Sequence, residues 1–282
     1  MKYYSYLIKE ESTLLDWFNN LKVAKNKINY LIDNKFCIVN GTSLNRESIL
    51  KPNDYLFIDL SNYHNVLIKD TNKMIDILYE DDYIIAVNKP KGYIIYSDDD
   101  QITVNDIVGN YLKSKEEVCF PCHRLDTDTT GCLIFAKDII TLAYLSNIFE
   151  SKDVTKEYLA IVEGKTEPNG TINLPIGKDR HVNNKMIISK TGKPATTKYF
   201  LEKDLKNKSL IKVLLLTGRT HQIRVHMSHI GHPLVGDQKY GAKMMADRPL
   251  LHCQSISFMH PYTEKKVVIK SKLPQDMSKL VK

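Results

Sequence analysis

The stretch from residue 123 to residue 137 constrains the fold more than any other part of the sequence. It opens with His-Arg-Leu-Asp, continues through threonines to Gly131, and closes on the apolar run Leu-Ile-Phe-Ala at residues 133–136. A short apolar run bounded by turn residues is typical of a buried strand. Arg124 and Asp126 are therefore predicted to lie on the turn that leads into this strand. Turns held by a rigid sheet often carry catalytic side chains.

The composition of the 282-residue chain is that of a folded, moderately basic protein. Hydrophobic residues make up 43% of it, enough for a packed core, and the formal net charge is +7. This charge suits a polyanionic partner such as RNA, and it also fits a merely basic surface. No apolar run reaches about 18 residues and the first residues lack a secretory signal, so we expect no membrane partner and a cytoplasmic location.

The first 66 residues are predicted to form a separate small module. Two segments have the apolar spacing of helices, and two apolar runs between turn residues have the pattern of strands. These segments are residues 14–18 and 28–32 for the helices and 36–39 and 55–58 for the strands. Asn40-Gly41 is a dipeptide typical of a tight hairpin turn. The polar stretch 67–76 is interpreted as a linker, which leaves residues 77–282 as the main domain.

The main domain continues with polar and aromatic side chains on predicted strands and helix starts. Tyr158 lies in an alternating segment, which predicts a strand. Arg219 and Arg224 lie near the start of a run with helical apolar spacing that stops at Gly231. The basic stretch at residues 178–181 fits either a contact with an RNA backbone or a solvated hairpin. The lysine-rich end of the chain is expected to be a frayed surface segment.

Together and in order, these segments resemble the RluA-type RNA pseudouridine synthases. The resemblance rests on His-Arg-Leu-Asp at 123–126, on the strand around Tyr158, on the run 217–237, and on Asn-Lys-Pro at 88–90. It implies an α+β fold whose mixed, mostly antiparallel sheet has flanking helices. The implied reaction isomerises uridine to pseudouridine inside RNA. That reaction leaves the composition of the RNA unchanged, so we expect neither a cofactor nor a metal.

The resemblance also assigns roles to individual residues. Asp126 takes the position of the essential catalytic aspartate. Arg224 is expected to pair with the Asp126 carboxylate, with Arg219 as the alternative. The side chains expected to bind the flipped uridine or fill the space it leaves are Arg124, Tyr158, Arg219, Arg224 and Leu251. The intermediate stays open between a sugar adduct, a base adduct and an elimination route in which Asp126 or Tyr158 removes a ribose proton.

The N-terminal segment is similar to the alpha-L RNA-binding module that precedes many rRNA-modifying enzymes. Its order of helices and strands carries this similarity, which is partial. The resemblance implies phosphate contacts from four lysines, namely Lys22, Lys25, Lys27 and Lys35. An ordinary capping subdomain with solvated lysines is the alternative. The expected substrate is a structured RNA, 23S rRNA in preference to tRNA, bound by a monomer.

Two other functions remain as alternatives. A catalytically silent RNA-binding or ribosome-assembly protein could use the same surface, with Asp126 as a structural turn residue that caps backbone amides. A hydrolytic glycosidase would need a second carboxylate about 5–10 Å from Asp126. The nearby Asp128 follows Asp126 too closely for the sequence to assign that geometry.

Overall fold

The computed structural model describes residues 3–59, 68–97, 99–151 and 153–281. The helices are α1 (Leu14–Asn20), α2 (Lys25–Asp33), α3 (Val104–Lys113), α4 (Ile139–Ser151), α5 (Gln222–His229) and α6 (Gln275–Val281), with a short 3-10 turn at Gln238–Tyr240. The strands are β1 (Tyr3–Leu7), β2 (Ser12–Thr13), β3 (Cys37–Val39), β4 (Thr42–Ser43), β5 (Ile49–Leu50), β6 (Tyr55–Asp59), β7 (Asp76–Glu80), β8 (Ile84–Lys89), β9 (Phe120–Pro121), β10 (Thr130–Ala136), β11 (Thr155–Glu163), β12 (Asn169–Asn173), β13 (Ile176–Lys178), β14 (Met186–Ile188), β15 (Thr196–Asp204), β16 (Lys208–Leu215), β17 (Leu251–Met259) and β18 (Lys266–Lys270).

The described residues divide into two compact units. The first takes its residues from Met1–Ala86, Ile95–Arg124 and Ile134–Glu150. The second takes them from Val87–Ile94, Leu125–Leu133 and Ser151–Lys282. The predicted boundary at residues 66 and 67 lies outside the described residues. Within the described ranges, no helix combines the length and the apolar character that crossing a membrane requires.

In the first unit, the N-terminal helices and strands form where the sequence pattern predicts them. Strands β1, β6, β3 and β4 pair side by side in that order. The predicted Asn-Gly turn joins β3 to β4, and both Asn40 and Gly41 have positive φ angles, of 50° and 77°. Such angles match the twist of a two-residue hairpin. The prediction of a hairpin here is confirmed by the pairing of Val39 with Thr42.

The buried faces of these N-terminal elements pack into a hydrophobic cluster with later residues of the same unit. Leu14, Phe18 and Leu31 are fully buried in this cluster, together with Val118 and Ile139. Residues 68–75 form neither helix nor strand. They are nevertheless fixed by hydrogen bonds, because the Lys69 N–H donates to Asp106 at the start of α3.

The second unit is built on antiparallel strands that position the site described below. Its sheet runs β12-β15-β16-β11-β17, and β18 pairs with the outer part of β17. The first residues of β10 pair with β17 in a parallel direction. The predicted mixed, mostly antiparallel sheet is therefore confirmed. The buried strand predicted after residue 130 is also confirmed, because every residue of β10 is buried.

The expectation of a frayed C-terminal segment is wrong. The chain forms α6 there, and Met277 on this helix is fully buried. Asp276 accepts two hydrogen bonds from Arg248, at 2.7 and 3.1 Å. The surrounding lysines dominate the sequence pattern and conceal the residues that attach the helix, namely Met277, Val281 and Asp276.

Gly131 allows β10 to begin directly against β17. Its φ angle is +110°, and a Cβ atom added there would overlap the backbone of Cys253. Both features require glycine, because side chains rarely adopt this φ and the neighbour is backbone that cannot rotate away. The turn that carries Asp126 is thus set against β17 without an intervening side chain.

We predict that Gly131→Ala lowers the free energy of unfolding by about 2–4 kcal/mol, because the methyl group must displace the backbone of β17. Gly241→Ala is the matched control, since Gly241 also has positive φ but open space around its Cα. The control should cost about 1 kcal/mol, the cost of the backbone conformation alone. Urea unfolding of both variants measures the difference. Equal losses would show that the contact with β17 contributes nothing.

Candidate active site

The turn after Asp126 is held by a buried ammonium group. The Thr129 N–H donates to the Asp126 carbonyl at 3.0 Å, which closes the turn. Lys89 is fully buried, and its Nζ donates to the carbonyls of Thr127 and Thr129 at 2.6 and 3.0 Å, and to that of Pro90 at 3.0 Å. Burial lowers the pKa of Lys89 to about 8, although the charges of Asp128 and Asp126 oppose this shift. The carbonyl oxygens replace the water that this ammonium lost.

A second buried cation holds the same turn through its remaining carbonyl. Arg248 donates to the carbonyls of Asp128 and Leu251 through Nη1, at 3.1 and 2.8 Å. Its other nitrogens form the two-hydrogen-bond pair with Asp276 on α6. The backbone from residue 127 to residue 129 is therefore fixed from both sides, and the Asp126 side chain projects from a rigid turn.

The Asp126 carboxylate faces two side chains from the start of α5. Its Oδ2 lies 3.4 Å from Nη1 of Arg224 and 3.8 Å from Nε2 of His221. The first distance is long for a hydrogen bond, so the contact is mainly electrostatic. About a quarter of the Asp126 side chain is exposed, 24%. The carboxylate therefore combines a nearby cation with access from solvent.

Arg224 is held in place by Asp237. Its Nε and Nη2 donate to the two carboxylate oxygens at 2.7 and 2.8 Å, which leaves Nη1 directed at Asp126. The guanidinium also lies over the ring of Tyr240, with its carbon 4.9 Å from the ring centre. Burial lowers the pKa of Arg224, but the Asp237 contacts outweigh it and the net pKa is raised. The cation next to Asp126 is thus permanent and fixed in direction.

Arg219, the alternative partner of Asp126, is directed elsewhere. Its Nε donates to the Pro194 carbonyl at 3.0 Å. The backbone around it is fixed by Gln222, whose buried side chain accepts from the Arg219 N–H at 3.0 Å. Gln222 also donates to the Thr196 carbonyl and to the Thr197 hydroxyl, both at 3.0 Å. Of the two arginines, the structure brings only Arg224 to Asp126.

Tyr158 lies on β11 beside Cys253 of β17, at a point where the pairing register shifts between Glu157 and Tyr158. Such bulges commonly redirect a side chain at a functional site. Tyr158 is only 6% exposed. Burial raises the pKa of its hydroxyl well above the usual value, and the Cys253 thiol and the Asp126 charge raise it further. The hydroxyl is therefore kept neutral.

Known proteins that are similar to this chain show the family to which it belongs. The family model for RNA pseudouridylate synthases matches residues 83–229. An uncharacterized RNA pseudouridine synthase of Bacillus subtilis (strain 168) is 35% identical over 92% of this chain and 89% of its own length. The chain belongs to the RluA-type RNA pseudouridine synthases. Its reaction is accordingly the isomerisation of uridine to pseudouridine in RNA.

Other relatives of this synthase agree with that assignment. The ribosomal large subunit pseudouridine synthase D of Salmonella typhimurium is 31% identical over 92% of the chain and 85% of its own length. The solved structure of human RNA pseudouridylate synthase domain containing 4 superposes with a TM-score of 0.63 at 25% identity. That alignment covers 73% of this chain and 91% of the human one.

The remaining residues singled out from the sequence lie in varied surroundings. Leu251 is buried at the first position of β17, and Arg124 is exposed on the first unit. Among the four N-terminal lysines, Lys27 is half-buried with its Nζ 5.6 Å from the ring centre of Phe120, whereas the other three are exposed. Over the described ranges, no cluster of histidine, cysteine and acidic side chains is arranged to hold a metal ion.

His221, Asp237, Tyr240 and Lys89 belong to the site but were missed by the sequence reasoning. His221 stands between the two arginines in the chain, and this position was the available signal. Its backbone has a left-handed φ of 55°, which turns the imidazole towards Asp126 and which sequence does not reveal. Asp237 contacts Arg224, which lies 13 residues away in the sequence. Lys89 contacts backbone carbonyls, which every residue has. No spacing of residue types therefore identifies either one.

We predict that Asp237→Asn lowers the free energy of unfolding by about 3 kcal/mol and also slows pseudouridine formation, because Arg224 then lacks its buried counter-charge. Asp247→Asn is the control: Asp247 forms an ion pair with Lys91 at 3.3 Å but is 88% exposed. Exposed pairs contribute little, so the control should keep both stability and rate. Thermal unfolding measures the change in stability, and single-turnover kinetics measures the rate of pseudouridine formation. A rate for Asp237→Asn equal to that of the intact protein would show that Arg224 needs no fixed direction.

Proposed function

We propose that this pseudouridine synthase modifies a uridine in large-subunit (23S) rRNA and that Asp126 is its essential catalytic residue. The observation that carries the role of Asp126 is its carboxylate oxygen, which lies 3.4 Å from the fixed guanidinium of Arg224 on a rigid, solvent-accessible turn. Relatives such as the ribosomal large subunit pseudouridine synthase D of Salmonella typhimurium support rRNA as the substrate in preference to tRNA.

The chemistry assigns the carboxylate a definite task. The bond from ribose C1′ to N1 of the base breaks, the base rotates, and C5 then bonds to C1′. Breaking the first bond builds positive charge at C1′, as in glycoside hydrolysis. An ionised Asp126 stabilises this charge or attacks C1′ to form a covalent sugar adduct. Arg224 lies 3.4 Å from the carboxylate and attracts it electrostatically.

Access to the target uridine requires base flipping, and unstacking and unpairing the base cost a few kcal/mol. Arg124 fills the space that the base leaves. Tyr158 stacks on the flipped base and Leu251 packs beneath it, while Arg219 contacts the substrate from the start of α5. Aromatic faces hold bases in this way in other RNA-binding proteins.

Residues 1–66 serve as the RNA-binding module, joined through residues 67–76 to the catalytic domain at 77–282. The exposed side chains of Lys22, Lys25 and Lys35 support phosphate contacts, and Lys27 adds to them. The enzyme acts as a monomer in the cytoplasm. A catalytically silent RNA-binding protein would not need the contact between Asp126 and Arg224.

We predict that Asp126→Asn lowers the rate of pseudouridine formation by about 10³-fold or more. The neutral amide neither stabilises positive charge at C1′ nor attacks C1′ effectively. The measurement is tritium release from RNA labelled at uridine C5, since C5 loses its hydrogen when it bonds to ribose. The RNA is taken from a strain that lacks this protein. RNA affinity should stay within a few fold of the intact protein.

Asp128→Asn on the same turn serves as the control, because its side chain is exposed. Release by the control but not by Asp126→Asn supports the proposed role. Equal release by both variants would eliminate it. Mapping of pseudouridine in rRNA and tRNA after incubation then tests the substrate, and modification of tRNA alone would overturn the rRNA assignment.

A further inference from the structure

The isomerisation requires the removal of one proton for which Asp126, Arg224 and Tyr158 do not account. When C5 bonds to C1′, C5 carries both the new bond and its original hydrogen. Pseudouridine forms only after this C5–H bond breaks. A base with a free lone pair near Asp126 is therefore needed, since the ribose end of the reacting base must lie close to that carboxylate. This reasoning rests on the proposed role of Asp126.

The other side chains at the site are poorly suited to accept that proton. Arg224 is a permanent cation. The Tyr158 hydroxyl is buried and held neutral, and a neutral phenol is a very weak base. A carboxylate such as that of Asp126 is a weaker proton acceptor than a neutral imidazole. Among the described side chains that face the Asp126 carboxylate, the imidazole of His221 has the fitting chemistry.

The geometry of His221 directs one ring nitrogen to the reacting region. Nε2 lies 3.8 Å from Oδ2 of Asp126, and the side chain is 15% exposed, so a substrate can reach it. Nδ1 lies 2.8 Å from the hydroxyl of Tyr240, which also accepts the Met186 N–H at 3.0 Å. The second lone pair of that oxygen can accept an Nδ1–H. This tautomer leaves Nε2 with a free lone pair on the Asp126 side.

The backbone conformation of His221 also supports a functional role for this residue. His221 has a φ of 55° at the position before α5, a left-handed conformation that is unfavourable for most residues. Such conformations persist where the surrounding structure enforces them, and they concentrate at functional sites. Here the conformation sets the imidazole between Asp126 and Tyr240.

We propose that His221 is the catalytic base that removes the C5 proton in the last step of pseudouridine formation. The C5–H bond breaks and its proton goes to Nε2. The electron pair forms the C5–C6 double bond, and the pair of the N1–C6 double bond moves to N1, which takes a proton from solvent. His221 then returns its proton to solvent, so no oxidant, reductant or cofactor enters the balance.

The charges around the imidazole fit this role. Burial lowers the pKa of His221 below its usual value of 6.5, and the cations Arg224 and Lys239 act in the same direction. The carboxylates of Asp126 and Asp237 oppose the shift. The neutral, proton-accepting form therefore dominates at pH 7. As the pH falls through this lowered pKa, the ring becomes cationic and the rate should fall with it.

The experiment compares RNA containing ordinary uridine with RNA deuterated at uridine C5. His221→Asn is the chosen variant, because asparagine tolerates positive φ better than most residues and its amide cannot act as a base. We expect single-turnover formation of pseudouridine to slow by about 10²-fold or more. The variant should show a larger deuterium isotope effect than the intact enzyme. Its rate should also lack the fall at acidic pH that we assign to protonation of His221.

Rescue by an added base provides a second, independent measurement. His221→Gly also accepts positive φ, and free imidazole added to it should restore part of the rate in proportion to its neutral form. His229→Gln is the control, because His229 lies exposed at the other end of α5. It should keep the rate, the isotope effect and the pH profile of the intact enzyme.

The outcomes separate this inference from the proposed function. A slow His221→Asn variant with an unchanged isotope effect and no rescue of His221→Gly by imidazole would overturn the inference, since the imidazole would then only position Asp126. An undiminished rate would overturn it as well. Absence of product with the intact enzyme, or full activity of Asp126→Asn, would instead remove the proposed role of Asp126.

Discussion

The cost of burying two cations beneath the turn at residues 126–129 is the constraint on which the site depends. Lys89 and Arg248 lose their water, and the carbonyls of residues 127, 128 and 129 replace it. A buried charge without such partners would be strongly destabilising, so these contacts stabilise the backbone path that the turn adopts. Gly131 then lets the chain enter the sheet against β17. The turn at Asp126 is thus rigid because the two buried cations bind its carbonyl oxygens in place of water.

Charge also orders the other side of the site, in a chain of alternating sign. Asp237 fixes Arg224 through two hydrogen bonds, and the remaining nitrogen of Arg224 meets Asp126. The inner pair is buried and well defined, whereas the outer contact is longer and accessible to solvent. An interaction that is loose before the substrate arrives leaves the carboxylate free to follow positive charge as it develops. The rigid, buried pair of Asp237 and Arg224 is therefore separate from the carboxylate for which we propose the catalytic role.

The sequence predicted most of the regular structure and part of the site. Buried strands such as β10 leave an apolar run, and α5 leaves a helical spacing, so both could be predicted from pattern. The sequence preferred Arg224 to Arg219 as the partner of Asp126. Directing Arg219 away from Asp126 depends on backbone geometry before α5, where Gln222 accepts from the Arg219 N–H and His221 is left-handed. Contacts to carbonyl oxygens, such as those of Lys89, leave no residue-type signature because every residue has a carbonyl.

The attachment of Arg248 to α6 has a consequence for the timing of synthesis. Arg248 follows Asp128, whose carbonyl it holds, by 120 residues, and Asp276 follows Arg248 by a further 28. A nascent chain that already contains Lys89 and Asp126 still lacks Arg248 and Asp276, the second of the two supports of the turn. The full set of contacts that supports the turn can therefore form only after residues 248–276 have been synthesised.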